Sequence, residues 1–465
     1  MDMDGIAFLA MGSAIAVTFI FISPFSIQSL KTTKNRRPWR LKTSVNMTSW
    51  SLVPQASYTG FMTAEHIAER LPTNLKWAVA GRSEEKLKRV VAECQKLNPN
   101  RVQPEIELCN LNDQDLLALA KKTKAMICTV GPFAQFGEHA FKACVEAGTH
   151  YIDCTGEVIW TLSMIQKYEA AAKKAGIVMI PQCGFDSAPV GSPRVVHGSA
   201  CPIQAVRPRK ELLEVSLVNF ELTNNNRTKP SGGTLATILG MVETYTLKEI
   251  GESKKPFALS PVPNPYHGPA PSLWSRLTGL RSVHGLGLLT TSVTAATDEP
   301  IVQRTWGLLQ QEPSRKKEAY GPRFSYREFA RARSTLSGIV AHYGLAIGMT
   351  MLFLFAPVRN FVRSRIFQPG EGVSKEEAAK EYIVMRGTAV PDMQPKSDKV
   401  AFIEAKYPAS PYLLTATCLA QAACFVLKED HKLQGGVYTP ACLGQRFIDV
   451  LDGEGFKVES KLIDA

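Results

Sequence analysis

Short apolar runs alternate with amphipathic segments from residue 56 to about residue 190. In the amphipathic segments apolar residues recur at helical spacing, and glycines such as Gly148 and Gly176 end two of them. Strict alternation of short buried strands and helices is typical of a parallel sheet covered by helices on both faces. We therefore predict an α/β fold with a doubly wound, Rossmann-like parallel sheet. Its strands are expected at residues 77–80, 105–109, 125–130, 150–153 and 177–180.

The pattern changes after residue 200. Residues 214–222 alternate like an antiparallel strand, residues 231–234 read as a turn before a helix, and residues 252–272 are rich in proline, serine and glycine. These features predict a second, mixed α+β domain. The expected organisation is a hydrophobic and basic segment with a linker at 1–50, the α/β domain at 51–200, the second domain at 201–410, and a C-terminal helical segment at 411–465 that packs back on the core.

Two long runs carry no charge. Gly5–Leu30 is followed at once by a basic cluster at Lys31–Lys42, which fits a signal anchor, a targeting presequence, or a segment that does not fold with the rest. Ser334–Val358 has basic residues on both sides and fits either a buried helix of the second domain or a segment lying in a bilayer. Like charge on both flanks argues against a simple single span.

The composition of the chain limits which classes of ligand and partner are expected. The chain has 465 residues, 45% of them hydrophobic, and a net charge of +12. This basicity suits an anionic cofactor or an anionic membrane surface. No zinc-finger spacing or RNA-binding aromatic motif is present, so nucleic acid is not an expected partner. The ten cysteines form no CxxC pair, which predicts buried thiols in a reducing compartment and no metal site.

Candidate chemistry lies where the predicted strands end, because ligands of doubly wound sheets sit beyond the carboxyl ends of the strands. Arg82 and Ser83 follow the second strand, where an NAD-binding domain would carry an acidic residue. A guanidinium with a hydroxyl favours the 2′-phosphate of NADP, although an exposed arginine beside a helix cap is the alternative. Gly131 would let the backbone approach a ligand closely, or it simply makes a turn with Pro132.

Three carboxylates, Asp153, Glu157 and Asp186, fall in the same loops. Each is a candidate proton donor or substrate anchor, and each also suits a helix cap. The catalytic residue stays unassigned, since the sequence contains no recognisable Ser-His-Asp or metal-ligand set.

Six motifs, in this order along the chain, resemble those of a known family. They are ThrValGlyProPhe at 129–133, HisTyrIleAspCysThrGlyGlu at 150–157, CysGlyPheAspSer at 183–187, SerGlyGlyThr at 231–234, GlnProGlyGluGly at 368–372 and GlyGlyValTyrThrProAla at 435–441. Over residues 57–460 the chain resembles the saccharopine dehydrogenase-like oxidoreductase family, which is related to bacterial trans-acting enoyl reductases. The resemblance implies an NADP-binding Rossmann domain and a second domain whose sheet packs beside it. The cofactor-binding residues it implies, together with the strand-end reasoning, are Tyr58, Thr59, Gly60, Arg82, Ser83, Thr129, Val130, Gly131 and Pro132.

The chain departs from the family at its first turn. The family pattern GlyAlaSerGlyTyrThrGly is replaced by a run in which Gln55 stands for the first glycine, the middle glycine is missing and Gly60 remains. The first two glycines make the tight turn and let the backbone reach the pyrophosphate. Residues 50–54 also predict a poor central strand, because Pro54 cannot donate to a ladder. We therefore expect weak NADPH binding.

Family members include membrane- and lipid-droplet-associated proteins and enzymes acting on lipid intermediates. The sequence is accordingly interpreted as an NADP-dependent oxidoreductase acting on a small lipid-like or apolar substrate. We expect it at a membrane or lipid-droplet surface, on the cytoplasmic face of a droplet or the endoplasmic reticulum, with a homodimer left open. The alternative is a catalytically silent Rossmann scaffold on such a surface, which the missing glycine favours.

Overall fold

The structure is a computed structural model that describes residues 50–53, 57–185, 212–222, 232–266, 268–365, 372–428 and 433–465. Strands and helices alternate through the first part of the chain. They are β1 (Trp50–Val53), α1 (Tyr58–Arg70), β2 (Trp77–Gly81), α2 (Glu84–Leu97), β3 (Glu105–Leu108), α3 (Asp113–Ala120), β4 (Ala125–Cys128), α4 (Phe133–Ala147), β5 (His150–Asp153), α5 (Val158–Ala175) and β6 (Val178–Ile180).

These strands form a parallel sheet in the order β3-β2-β1-β4-β5-β6. The order reverses between β1 and β4, which is the arrangement of a doubly wound Rossmann sheet. The predicted fold class is therefore confirmed. The expectation that Trp50–Val53 would make a poor central strand is wrong, because β1 pairs with β2 on one side and β4 on the other. The described strand is Trp50–Val53, and Pro54 lies outside the described residues.

Local sequence signals set the helix ends. Ser57, Ser83 and Asn112 each cap a helix by accepting a backbone N–H with the side chain. Gly148 and Gly176 end α4 and α5 in the left-handed region, at φ 76° and 68°, which a residue with a Cβ rarely adopts. α4 begins at Phe133, and its N-cap residue Pro132 makes no side-chain cap hydrogen bond.

The remainder of the chain builds a second sheet and returns twice to the first region. Its elements are β7 (Leu212–Leu222), α6 (Gly232–Thr244), α7 (Leu247–Ser253), α8 (Leu273–Thr278), β8 (Arg281–Val283), β9 (Gly287–Thr291), α9 (Ala295–Gln311), β10 (Ser325–Arg331), α10 (Thr335–Leu354), α11 (Ala356–Arg365), α12 (Lys375–Ala378), β11 (Ile383–Pro391), β12 (Lys399–Tyr407), α13 (Pro411–Leu427), β13 (Gly436–Val437), α14 (Gln445–Gly453) and β14 (Lys457–Asp464).

The second sheet has the order β14-β12-β11-β7-β10-β9-β8 and is mixed. The predicted strand around residues 214–222 is present as β7, which pairs antiparallel with β11 but parallel with β10. Glycines 232 and 233 lie inside α6, so the turn expected there is wrong. This sheet gives the second domain the mixed α+β character that the sequence predicted.

The C-terminal part joins both sheets. β13 pairs in parallel with β6 and becomes the seventh strand of the first sheet, whereas β14 pairs with β12 at the edge of the second. Before these two strands in the chain, α13 is buried along nearly its whole length. Ile127 and Ile152 of the first sheet share one hydrophobic cluster with Ile383 and Ala405 of the second. The two sheets therefore share a core, and the segment expected to be helical contributes strands as well.

α10 lies on the surface. Its most apolar window has a mean hydropathy of 1.5 and is 11% buried, so the interpretation of residues 334–358 as a buried helix of the second domain is wrong. Within the described residues it is the helix that is long and apolar enough to cross a membrane. The hydrophobic run at Gly5–Leu30 and the basic cluster after it lie outside the described residues.

Nine of the ten cysteines are described, and all nine carry free thiols. Eight are buried and Cys154 is half-buried, which agrees with the prediction of small buried side chains. Burial raises the pKa of Cys128 to about 12, so this thiol stays protonated at neutral pH. Cys201 lies outside the described residues.

Candidate functional site

The crevice between β1 and β4 is the expected ligand site, because the strand order reverses there. Two loops border it. The first leads from β1 into α1 and is described from Ser57, and the second runs from β4 through Thr129 to Pro132 into α4. A hydrogen bond joins them: the Ser57 hydroxyl donates to Oγ1 of Thr129 over 3.0 Å. The sequence did not single out Ser57, although a serine before an apolar helix is a recognisable N-cap signal.

Among the predicted cofactor-binding residues at the start of α1, Gly60 and Tyr58 have different roles. The Gly60 N–H donates to Oγ of Ser57 at 3.0 Å, so the serine cap already satisfies this amide. The Tyr58 ring packs edge-on against Tyr412, with centroids 5.1 Å apart, and closely faces Gly372. Its hydroxyl is buried, and burial raises the pKa of Tyr58. The Tyr58 side chain is therefore a packing group, and α1 offers a ligand its first-turn backbone.

The two residues that follow β2 lie directly after the strand, as the sequence predicted. Arg82 follows β2 directly and is exposed to solvent, and Ser83 caps α2 by accepting from the Lys86 N–H. Both alternatives named from the sequence are thus compatible here, since Ser83 is a helix cap and Arg82 is accessible to an anionic ligand.

The four predicted residues of the second loop, Thr129 to Pro132, also differ in which of their atoms can face a ligand. Val130 is 1% exposed and its side chain belongs to the core, so only its backbone faces the crevice loops. The Gly131–Pro132 peptide bond is cis. The helix α6 of the second domain lies against this loop: a Cβ on Gly131 would come 3.7 Å from Oγ1 of Thr237, and a Cβ on Gly240 would come 3.5 Å from Pro132.

Glu157 is a buried cap for α4. One carboxylate oxygen accepts from the Phe133 N–H and the other from the Ala134 N–H, both at 2.8 Å. Pro132 supplies no capping side chain, so Glu157 satisfies first-turn amides that the local sequence leaves open. Burial raises the pKa of Glu157 to about 7, although these amides and a hydrogen bond from Thr237 oppose the shift. Of the roles considered for this carboxylate, the structure supports the helix cap.

Asp153 plays a comparable part at the end of β5. Its Oδ1 accepts from the N–H groups of Thr155 at 2.8 Å and Gln182 at 2.9 Å, which ties the β5 and β6 loops together. Burial raises the pKa of Asp153 to about 7. Gln182 itself is fully buried at φ 57°, a conformation that non-glycine residues adopt at a cost of order 1–3 kcal/mol. The third carboxylate, Asp186, lies outside the described residues.

The geometry can be tested against the NADP that the sequence implied. First-turn amides of α1 lie at the crevice, where a pyrophosphate binds in such sheets, and Arg82 with Ser83 would hold a 2′-phosphate. The backbone from Thr129 to Gly131 would line the other half of the dinucleotide. By contrast, the first two amides of α4 are occupied by Glu157 and are not available to a phosphate. The residues fit NADP at α1 and β2.

A comparison with protein-family models identifies residues 57–180 as a saccharopine dehydrogenase NADP binding domain. This range begins at the Ser57 cap and ends with β6. It therefore contains all nine predicted cofactor-binding residues.

Relatives extend the similarity beyond that domain. A trans-acting enoyl reductase of Mycobacterium bovis is 26% identical over 427 residues, covering 86% of this chain and 94% of the relative. A saccharopine dehydrogenase-like oxidoreductase of Mus musculus is 40% identical over 129 residues, covering 27% of this chain and 30% of the relative. A lipid droplet localized protein of Caenorhabditis elegans is 32% identical over 137 residues, covering 29% and 32%.

Among solved structures, apo saccharopine dehydrogenase (L-Glu forming) from Saccharomyces cerevisiae is similar with a TM-score of 0.50 and 10% identity. The match covers 90% of this chain and 100% of that enzyme, so both sheets take part, and it shows the fold alone. The crevice between β1 and β4 thus lies in the part of the chain that matches a saccharopine dehydrogenase NADP binding domain, and the chain is similar to saccharopine dehydrogenase-like oxidoreductases and trans-acting enoyl reductases, as the resemblance predicted.

Proposed function

We propose that this protein is an NADP-dependent oxidoreductase that acts on a lipid-like, apolar substrate at a membrane or lipid-droplet surface. The observation that carries the proposal is α6, which covers the cis-proline loop of the NADP-binding domain. Its sequence, GGTLATILGMVET, contains a single charged residue, Glu243, at its far end. A helix with so few charged groups beside this loop favours an apolar substrate, because charged substrate groups there would lose hydration and find no charged partner on the helix near the loop.

The names of two relatives support the same direction. The M. bovis relative is named an enoyl reductase and the C. elegans relative is named for lipid droplets. Bound NADPH would supply a hydride. The chain's own residues bind and orient: Arg82 and Ser83 hold the phosphate end, and α6 excludes water from the loop at Gly131. Asp153 and Glu157 serve this site as buried acceptors for backbone amides.

A second candidate, a catalytically silent scaffold on the same surface, is favoured by one observation. Ser57 accepts from the Gly60 amide, and Ser57 also bonds to Thr129 across the crevice. With the middle glycine of the turn missing, the Gly60 amide, one of the first-turn groups that would meet a pyrophosphate, is already satisfied by Ser57.

The two candidates differ in cofactor binding and turnover. NADPH fluorescence is titrated on the full chain, and NADPH oxidation is then followed with a long-chain trans-2-enoyl thioester in phosphatidylcholine vesicles. The short-chain crotonyl thioester is the control for chain length. Binding together with faster oxidation of the long-chain compound supports the oxidoreductase. No NADPH binding up to millimolar concentration contradicts it and leaves the scaffold.

A further inference from the structure

Two separate segments expose large apolar side chains on one continuous surface. On α8, Leu273, Trp274 and Leu277 are 75%, 61% and 65% exposed. On α10, Leu336, Ile347 and Leu354 are 72%, 50% and 66% exposed. Single exposed apolar residues are ordinary, but a continuous set of this size marks an interaction surface. We call it the α8–α10 face.

Direct contacts join the two helices of this face. The Tyr343 hydroxyl on α10 donates to the Leu277 carbonyl of α8 at 2.6 Å. Gly279, which ends α8 at φ 71°, leaves room for the His342 ring, which a Cβ at this position would overlap. The helices are therefore held side by side, and the apolar side chains of α8 extend the surface of α10.

The charge around the face selects its partner. Residues 268–297 and 333–365, which contain α8, α10 and α11, include no aspartate or glutamate. They contain six arginines: Arg276, Arg281, Arg333, Arg359, Arg363 and Arg365. Arg276 is exposed on α8 between the apolar side chains. Glu243 of α6 lies beside two of these arginines, Arg359 and Arg363, at the α11 end. Apolar side chains in segments that contain arginines and no carboxylate of their own match the boundary between acyl chains and anionic headgroups.

Both ends of α10 are tied to the same folded body. Near its start, the Thr290 hydroxyl of β9 donates to the Gly338 carbonyl at 2.8 Å, and Thr291 bonds to His342 at 2.7 Å. After its last turn the chain continues into α11, and Arg359 of α11 donates back to the Leu352 and Phe353 carbonyls of α10.

α11 in turn contacts α6, the helix that lies against the Gly131–Pro132 loop of the crevice. Arg363 pairs with Glu243 at the end of α6 over 2.7 Å. Twenty residues make a helix about 30 Å long, enough to cross a bilayer. A crossing helix would place β9 and α6 on opposite sides of the membrane, which one folded body cannot do. α10 therefore lies along the body and not across a membrane.

We propose that the α8–α10 face lies flat in one leaflet of an anionic phospholipid surface. This inference rests on the proposed function and names the surface and the way it is bound. It also links the lipid surface to the site, because Glu243 ties α6 to α11, the helix that follows α10. From Glu243 to Thr237, beside Gly131, is six helical residues, about 9 Å of rise.

The first experiment reads the face locally. Full-length protein is mixed with phosphatidylcholine–phosphatidylserine vesicles in which the phosphatidylcholine is brominated at a shallow or a deep acyl position. The Trp274 signal is the fluorescence difference between the protein and Trp274→Phe. We expect shallow bromines to quench it at least twofold more than deep ones. An unquenched Trp274 in vesicle-bound protein overturns the proposal, whichever other segment attaches the chain.

Affinity is tested on the same vesicles by flotation. The double variant Leu273→Asp, Leu277→Asp should bind at least tenfold more weakly. The matched control is Leu247→Asp, because Leu247 is 78% exposed on α7, outside both segments. All these side chains are exposed, so the substitutions leave packing intact, and circular dichroism checks this. Equal weakening by the control would overturn the specific role of the face.

Orientation is tested with a fluorophore at each end of α10, using Leu336→Cys and Leu354→Cys labelled with NBD in the native state. Dithionite added outside sealed vesicles should bleach both labels, whereas protection of either one indicates a crossing helix and overturns the proposal. NADPH titration of the same samples separates the two ideas. Retained NADPH binding without Trp274 quenching rejects the lipid face alone. Quenching without NADPH binding rejects the oxidoreductase alone.

Discussion

The buried cap on α4 makes a quantitative prediction about stability and pH. Replacing Glu157 by glutamine removes the titrating carboxyl but keeps one oxygen to accept from a first-turn amide. In the folded protein, burial raises the pKa of Glu157 from 4.5 to about 7. The folded state therefore binds this proton more tightly than the unfolded chain does. The stabilisation is complete below pH 4.5 and is lost as the pH rises through 7.

The magnitude follows from the size of the shift. Each pKa unit corresponds to about 1.4 kcal/mol, so from pH 5 to pH 8 the wild type should lose about 2.5 kcal/mol of unfolding free energy relative to Glu157→Gln. Asp153, whose pKa burial also raises to about 7, is present in both proteins, so its contribution largely cancels in the comparison.

Urea unfolding followed by circular dichroism at pH 5, 6, 7 and 8 measures this difference. Glu146→Gln is the control, because Glu146 is an exposed carboxylate on α4, the helix that Glu157 caps. This variant should follow the wild-type curve. If wild type and Glu157→Gln lose stability in parallel over this range, the carboxyl is not the buried titrating cap that the structure describes.

Four further changes test other parts of the structure. Arg82→Asp should weaken NADPH binding far more than NADH binding in fluorescence titrations, whereas the control Arg89→Asp, at an exposed position on α2, should leave both unchanged; equal affinities of the wild type for both cofactors would contradict the NADP preference. Ser57→Ala should cost about 1 kcal/mol in urea unfolding by removing the α1 cap, and an unchanged midpoint would argue against that cap. Inserting glycine between Ser57 and Tyr58 together with Gln55→Gly should tighten NADPH, since a misaligned charge-assisted hydrogen bond loses about 1.5–3 kcal/mol; micromolar binding by the unaltered chain would refute the glycine argument. Arg304→Met should cost about 3–5 kcal/mol, because it leaves two buried carbonyls without their donor and leaves Glu169 with Lys173 as its remaining cation, and a loss below 1 kcal/mol would show that this network is dispensable.

Most elements of the first domain could be predicted from the sequence because the signals that mark their ends are local. The cap at Ser83 and the left-handed glycines at Gly148 and Gly176 act within one turn of the helices they bound. β13 was missed because it has two residues and is paired only through a strand more than 250 positions earlier. No periodicity can be read from two residues. The exposed α8 was missed for the same reason, since six residues cannot establish a helical period.

The site was predicted less completely because its contacts are long-range. Arg82 and the loop at Thr129–Pro132 were found from their places after strands. The packing of Tyr58 against Tyr412 brings together residues far apart in the chain, and no local pattern indicates it. Glu157 had a signal that was not used. A helix that follows Gly-Pro has no local cap, so its first amides require an acceptor from elsewhere in the fold.

The pairing of β13 with β6 has a consequence for how the protein is made. Gly436 lies beside Val178, so the edge of the first sheet stays open until more than 250 further residues have been synthesised and have left the ribosome. During synthesis β6 would present unpaired amides and carbonyls, which invite pairing with other chains. A nascent chain of this kind should depend on chaperones that shield strand edges. Truncation before residue 436 should therefore yield aggregated protein in cells and not a soluble nucleotide-binding fragment.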